Sequence, residues 1–148
     1  MSSLVLLLTA CATSIQAELD AEVKRLCAID GGVRVFEAVK LPSSRFSEQG
    51  QINFFRPDQG ENALGPEYIY KWTTHYYKRG EENEVAMWRS EHRIIRRSDG
   101  KVLGAGVRYS RRGGDVPSPS HPSSFTCPPI SRDQPSLESS VFLKGDKQ

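Results

Sequence analysis

The sequence has no run of the roughly 18 apolar residues that a membrane-spanning helix needs, and its longest apolar stretch is a short one at the start. It also has little net charge. Lys and Arg number 20 against 18 Asp and Glu, a balance of +2, which is too weak for the overall basic footprint of a nucleic-acid-binding domain. There are three Cys and three His. No CxxC pair or other metal-type spacing occurs among them, which removes the zinc-site patterns. No GxSxG elbow is present for a serine nucleophile. Asp30-Gly31-Gly32 and Gly113-Gly114-Asp115 look like pieces of metal loops but lack the remaining acidic ligands of a calcium loop. They read as turns. No internal repeat occurs, and no cofactor or metal is expected.

What is present is ordinary for one folded domain. The chain has 148 residues, 26% charged and 37% hydrophobic, within the usual range. Ser14 to Gly32 reads as a helix. Ile15, Leu19, Val23, Leu26 and Cys27 fall on one stripe. Glu18, Asp20 and Glu22 come early and Lys24 and Arg25 late, which suits the helix dipole. Ser14 is the candidate cap, and Gly31 or Gly32 the left-handed stop.

After Gly32 the period changes to two. Val33–Leu41 reads as a strand ended by Pro42, and Gln51–Phe55 as a second short one. Residues 56–66 read as a loop from their Pro and Gly. Glu67–Lys78, rich in aromatic and β-branched residues, reads as a third strand. Two strand-like runs then flank Ser98-Asp99-Gly100, a tight hairpin turn. Gly104 and Gly106 in the return strand imply a bend or the close approach of another segment. Six of the nine prolines fall from Pro117 to Pro135, so that region is a tail or extended loop, with disorder expected beyond Pro135. The expected fold is α+β: an N-terminal helix packed on an antiparallel sheet of four or five strands, with a Pro/Ser-rich C-terminal tail. The expected layout is a domain over residues 11–115 and a tail over 116–148, its first part docked.

Candidate chemistry is sparse. His75, His92 and Glu91 are the acid/base candidates for an enzyme, but Glu91 and His92 are strand neighbours and point to opposite faces. His121 lies in the Pro-rich loop. From Lys78 to Arg112 there are ten Lys or Arg against five Asp or Glu. Arg89, Arg93 and Arg97 share one parity, and with Arg108 they form a candidate surface for an anionic envelope component or nucleic acid. The plainer reading is a solvated sheet face with Glu–Arg pairs. Tyr68, Tyr70, Trp72 and Tyr76 share one strand face. They are either core beneath the helix or an exposed groove, in which Trp72 and Tyr76 join the candidate binding surface.

The opening residues are more specific. Leu4 to Ala10 is apolar apart from Thr9 and carries no charge. It reaches the lower end of a signal-peptide apolar region, about 7 residues. Leu8-Thr9-Ala10-Cys11 comes at its end. This resembles the lipobox of bacterial lipoproteins, over the first dozen residues only. The resemblance implies that residues 1–10 are a signal peptide cut before Cys11, and that the Cys11 thiol takes a diacylglycerol. Further acylation of the new amine, by palmitate for instance, would give stable anchoring, which takes two or more chains. The segment departs from the pattern in starting Met-Ser-Ser without Lys or Arg. Either the true start lies upstream or the run belongs to the fold. Ala12, rather than Asp, comes after the Cys, which by the same resemblance implies the outer membrane and a periplasm-facing domain.

If Cys11 carries lipid, Cys27 and Cys127 remain. An exported protein meets an oxidising compartment, where these two could pair. The alternative is two free buried thiols. Three function classes stay open. The first is a non-enzymatic envelope lipoprotein, whose partners would be the membrane, through its anchor, and an envelope protein or anionic component. The second is a periplasmic enzyme using His75, His92 and Glu91. The third is a cytosolic protein whose basic hairpin binds nucleic acid, a partner the lipoprotein reading does not expect.

Overall fold

The computed structural model describes residues 10–81, 84–115, 122–131 and 133–145, with side chains from Ile15 onward. Apart from Ala10, the expected signal peptide lies outside the described residues, as does His121. The elements in order are α1 (Ala10–Asp30), β1 (Gly32–Val35), β2 (Val39–Leu41), β3 (Tyr68–Lys78), β4 (Ala86–Arg96), β5 (Val102–Arg112), β6 (Ser124–Cys127), α2 (Leu137–Val141) and β7 (Phe142–Lys144). Five strands form one antiparallel sheet in the order β1-β5-β4-β3, with β6 also on β5. The α+β class, the N-terminal helix and the five-stranded sheet are as the sequence led us to expect. The β4–β5 hairpin closes at Gly100, whose φ is 71°, with the Gly100 amide donating to the Arg96 carbonyl at 2.9 Å. The chain divides into two compact units.

The first unit holds residues up to Gly31, Thr74–Ser90 and Arg108–Ile130. Helix α1 begins at least four residues before Ser14, so Ser14 is not its cap. Glu18, Asp20 and Glu22 are mid-helix, and no acidic residue lies in the first turn or basic residue in the last. The dipole argument therefore does not apply to them. Their roles are lateral: Asp20 grips Arg111 on β5 at 2.8 Å, and Glu22 pairs with Arg25 one turn on. Val23 on the apolar stripe is fully buried. The helix stops where the Gly31 amide bonds to the Cys27 carbonyl at 2.8 Å and Gly32 turns to φ 104°, the left-handed step that glycine takes without a Cβ penalty. Strand β6, the docked part of the Pro-rich segment, pairs with Tyr109–Arg112 of β5. A Cys27–Cys127 disulfide ties α1 to it.

The second unit holds Gly32–Thr73, Glu91–Val107 and the residues from Ser131. Its core is Phe46, Leu64, Tyr68, Ile94, Leu103, Leu137, Val141 and Phe142. Three expectations need correction here. The stretch Val33–Leu41 is not one strand. The amides of Phe36 and Glu37 both donate to the Leu103 carbonyl, at 2.8 and 3.0 Å. That doubled contact ends β1 on β5, and β2 leaves to pair in parallel with β7. Gln51–Phe55 forms only a single bridge, Phe46 to Ile52. The 56–66 segment is a loop, as expected; it carries 3-10 turns over Pro57–Asn62, kinked at Gly60, and Ala63 and Leu64 after them are buried.

The third correction is the largest. The chain beyond Pro135 is ordered through Gly145. Ser136 caps α2 by accepting from the Ser139 amide, and Leu137, Val141 and Phe142 are all buried. These apolar residues at spacings of four and one outweigh the local Pro/Ser composition. The helix lies against β5 at Gly104, where a Cβ would sit 2.6 Å from Val141 Cγ2. That is the close approach read from the paired glycines.

Candidate functional site

On the second unit, Phe36, Glu91, Arg93, Val102 and Ala105 line an open cleft of about 370 Å³. Three strands build it. Arg34 lies opposite Ala105 in the β1–β5 register, and Phe36 comes just past the end of β1. Glu91 and Arg93 are two apart on β4 and so share a face. Arg93 Nε donates to Glu91 Oε1 at 2.6 Å. The Glu91 side chain is 13% exposed and that of Arg93 49%. Phe36 is 60% exposed. The cleft is therefore lined by three apolar side chains and an ion pair.

A second cavity, of about 420 Å³, lies at the hairpin end of the same unit between Pro66, Glu67, Tyr68, Arg96, Arg97 and Ser98. Its guanidinium groups already have partners. Arg97 donates to Asn62 Oδ1 at 2.5 Å. Arg96 holds Glu37 at 2.5 Å and Asp99 at 2.8 Å. Lys101 also pairs with Glu37. The Arg96 hydrogen bond, followed by that from Lys101, pulls the Glu37 carboxyl down to about 2.

Also in the second unit, Tyr70 and Trp72 flank His92. The Tyr70 hydroxyl lies 2.7 Å from His92 Nδ1, and the imidazole stacks on the indole with ring centres 5.2 Å apart. Trp72 is 64% exposed. Glu91 contacts Arg93, and its strand neighbour His92 contacts this aromatic pair. In the first unit the ring neighbour of His75 is Tyr77. The reading of the aromatic strand face as core holds for Tyr68 and fails beyond Tyr70: Trp72 and Tyr76 are 64% and 42% exposed. β3 is an edge strand, so its outer residues lack neighbours on one side.

The remaining arginines separate by role. In the first unit Arg89 holds Asp30 at 3.0 Å and donates to the Tyr109 hydroxyl at 3.3 Å, while that hydroxyl donates to Asp30 Oδ1 at 2.6 Å. Burial, then the bond to Asp30, pushes the Tyr109 phenol up to about 12. Arg89 thus docks α1 rather than a ligand. Arg108 is exposed, with no partner among the described residues. Tyr76 packs on Trp88 under the Arg79 guanidinium. Of the cysteines, Cys27 and Cys127 are paired, and the Cys11 side chain lies outside the described ones. Among the described residues no group of three or more His, Cys, Asp or Glu is placed to hold a metal ion.

Sequence reading found Arg93, Glu91 and Trp72 as residue types but missed Phe36, Val102 and Ala105 as walls. The one signal was Phe36 itself, on the opposite parity from Val33 and Val35. In comparisons with known proteins, no family model, no curated protein and no solved structure matches the chain.

Proposed function

We propose that this chain is a small exported lipoprotein of the bacterial cell envelope. It is anchored through lipid on Cys11 in the outer membrane, and its folded part faces the periplasm in a non-enzymatic binding role. The observation that carries the reading is the Cys27–Cys127 disulfide. It fits an oxidising compartment and accounts for two of the three cysteines. The third sits at the lipobox position, after Leu8-Thr9-Ala10. A diacylglycerol thioether and a palmitate-type chain on the new amine would together hold the protein stably at a bilayer. An open cleft with apolar lining residues and a half-exposed arginine suits binding.

The test is the intact mass of the protein expressed from its native start in a Gram-negative host, with and without reductant. The expected product starts at Cys11, carries lipid, and gains two hydrogens on reduction; Cys11→Ala removes the lipid. An unlipidated full-length chain with three free thiols would overturn the proposal.

A further inference from the structure

The cleft on the second unit has a chemistry that its own packing does not use. Arg93 commits only Nε to Glu91. Its two terminal amines have no partner among the described residues, and the side chain is 49% exposed. A guanidinium edge of this kind matches a carboxylate with two parallel hydrogen bonds. Glu91, itself only 13% exposed, holds the guanidinium by Nε and so fixes the direction of the open edge.

The rest of the cleft restricts the group that a bound carboxylate can carry. Val102 and Ala105 on β5 and Phe36 just past β1 line it with apolar side chains. β4 and β1 flank β5, so Arg93 and Phe36 are two strand spacings apart, about 10 Å. The volume of about 370 Å³ is near the small end of ligand cavities. β1 is an edge strand, and an edge presents backbone donors and acceptors to an incoming amide. A hydrocarbon acid has nothing to offer that edge, whereas a peptide does.

The geometry points to a site for the C-terminal end of a short peptide with small apolar residues. The terminal carboxylate takes the Arg93 amines, the side chains lie over Val102 and Ala105, and the next peptide group meets the β1 edge beside Phe36. This gives the envelope-binding reading its ligand class, and rests on that reading only for the source of the peptide.

The experiment is a titration of the full, oxidised chain monitored by backbone amide shifts. The probes are acetyl-Ala-Ala with a free carboxylate, the same peptide as its C-terminal amide, and hexanoate. The free acid shifts Phe36, Val102 and Ala105 saturably. The amide binds at least about tenfold more weakly, as does Arg93→Ala, since each loses the charge-assisted hydrogen bonds between guanidinium and carboxylate; hexanoate, which has no peptide group for the β1 edge, is at least about tenfold weaker as well. Arg93→Lys is intermediate. Phe36→Ala, at an exposed side chain, weakens the free acid as well and serves if Arg93→Ala fails to fold. No saturable shift with the free acid overturns the proposal. So does equal binding by the amide or by hexanoate, or an unchanged affinity in folded Arg93 and Phe36 variants. Failure of lipidation at Cys11 leaves these binding results standing, and a failed titration leaves the anchor standing.

Discussion

Cys27 on α1 and Cys127 on β6 are joined by a disulfide whose Cα atoms lie 5.9 Å apart across a sequence separation of 100. The bond closes the helix onto the last strand of the sheet. In the chain-entropy model a loop of this length is worth about 4.7 kcal/mol. Among the described residues the first unit has few fully buried apolar side chains besides Val23, Met87 and Tyr109, so this constraint is a large share of its order. Reduction, or Cys27→Ser with Cys127→Ser, should lower unfolding stability by about 2–5 kcal/mol. Urea unfolding with and without reductant measures it, and coincident curves would contradict the claim.

A buried cation makes the second prediction. The Arg111 side chain is 3% exposed. It is satisfied by both oxygens of Asp20, at 2.8 and 3.1 Å, and by the Gly113 carbonyl and Ser123. Asp20→Ala leaves the charge buried without its counter-ion and should cost about 3 kcal/mol. Arg111→Met, which removes the charge and keeps much of the volume, should cost less. The order of the two midpoints in urea decides the point; the reverse order would show that Arg111 contributes mainly through its carbonyl contacts.

The hairpin and the helical stripe were legible because local chemistry and tertiary structure agree there. Ser98-Asp99-Gly100 supplies the turn, and Val23, at the centre of the stripe, is fully buried, with Leu19, Leu26 and Cys27 half-buried and only Ile15 at its start exposed. The end of the chain was not legible, because Leu137, Val141 and Phe142 are set in a Pro/Ser-rich context and gain their order from partners far away in sequence, Leu103 and Tyr68 among them. The cleft was half legible. Arg93 and Glu91 emerge from strand parity, whereas Phe36 reaches the cleft only because the Leu103 carbonyl accepts two amides and breaks the strand. No periodicity encodes that break.

The two glycines of β5 should behave differently. A Cβ at Gly104 would meet Val141 Cγ2 at 2.6 Å and both the Arg34 carbonyl and Leu137 Cδ1 at 3.1 Å, whereas at Gly106 the nearest atoms are 3.8 Å away. Gly104→Ala overpacks α2 and should destabilise by about 1–3 kcal/mol. Gly106→Ala should be close to neutral. Thermal midpoints of the two variants check this, and equal losses would mean that α2 adjusts freely over the strand.

Acid should weaken the Glu37 cluster in a defined window. Hydrogen bonds from Arg96 and then Lys101 lower the Glu37 carboxyl from 4.5 to about 2 in the folded chain. Between those values the unfolded chain binds the proton and the folded chain does not, so stability rises with pH across the window. The contribution is fully present above about 4.5 and is lost as pH falls toward 2. The cluster is partly exposed, with Glu37 and Arg96 side chains 31% and 27% accessible, so salt screens it and the effect is smaller than for a buried pair. Asp99, also lowered by its hydrogen bond from Arg96, adds to the same acid limb. Glu37→Gln should therefore lower the midpoint at pH 7 and leave it nearly unchanged near pH 2. The comparison is two denaturation series across pH for the parent and the variant. Parallel series offset by a constant amount would show that Glu37 acts through packing and not through its charge.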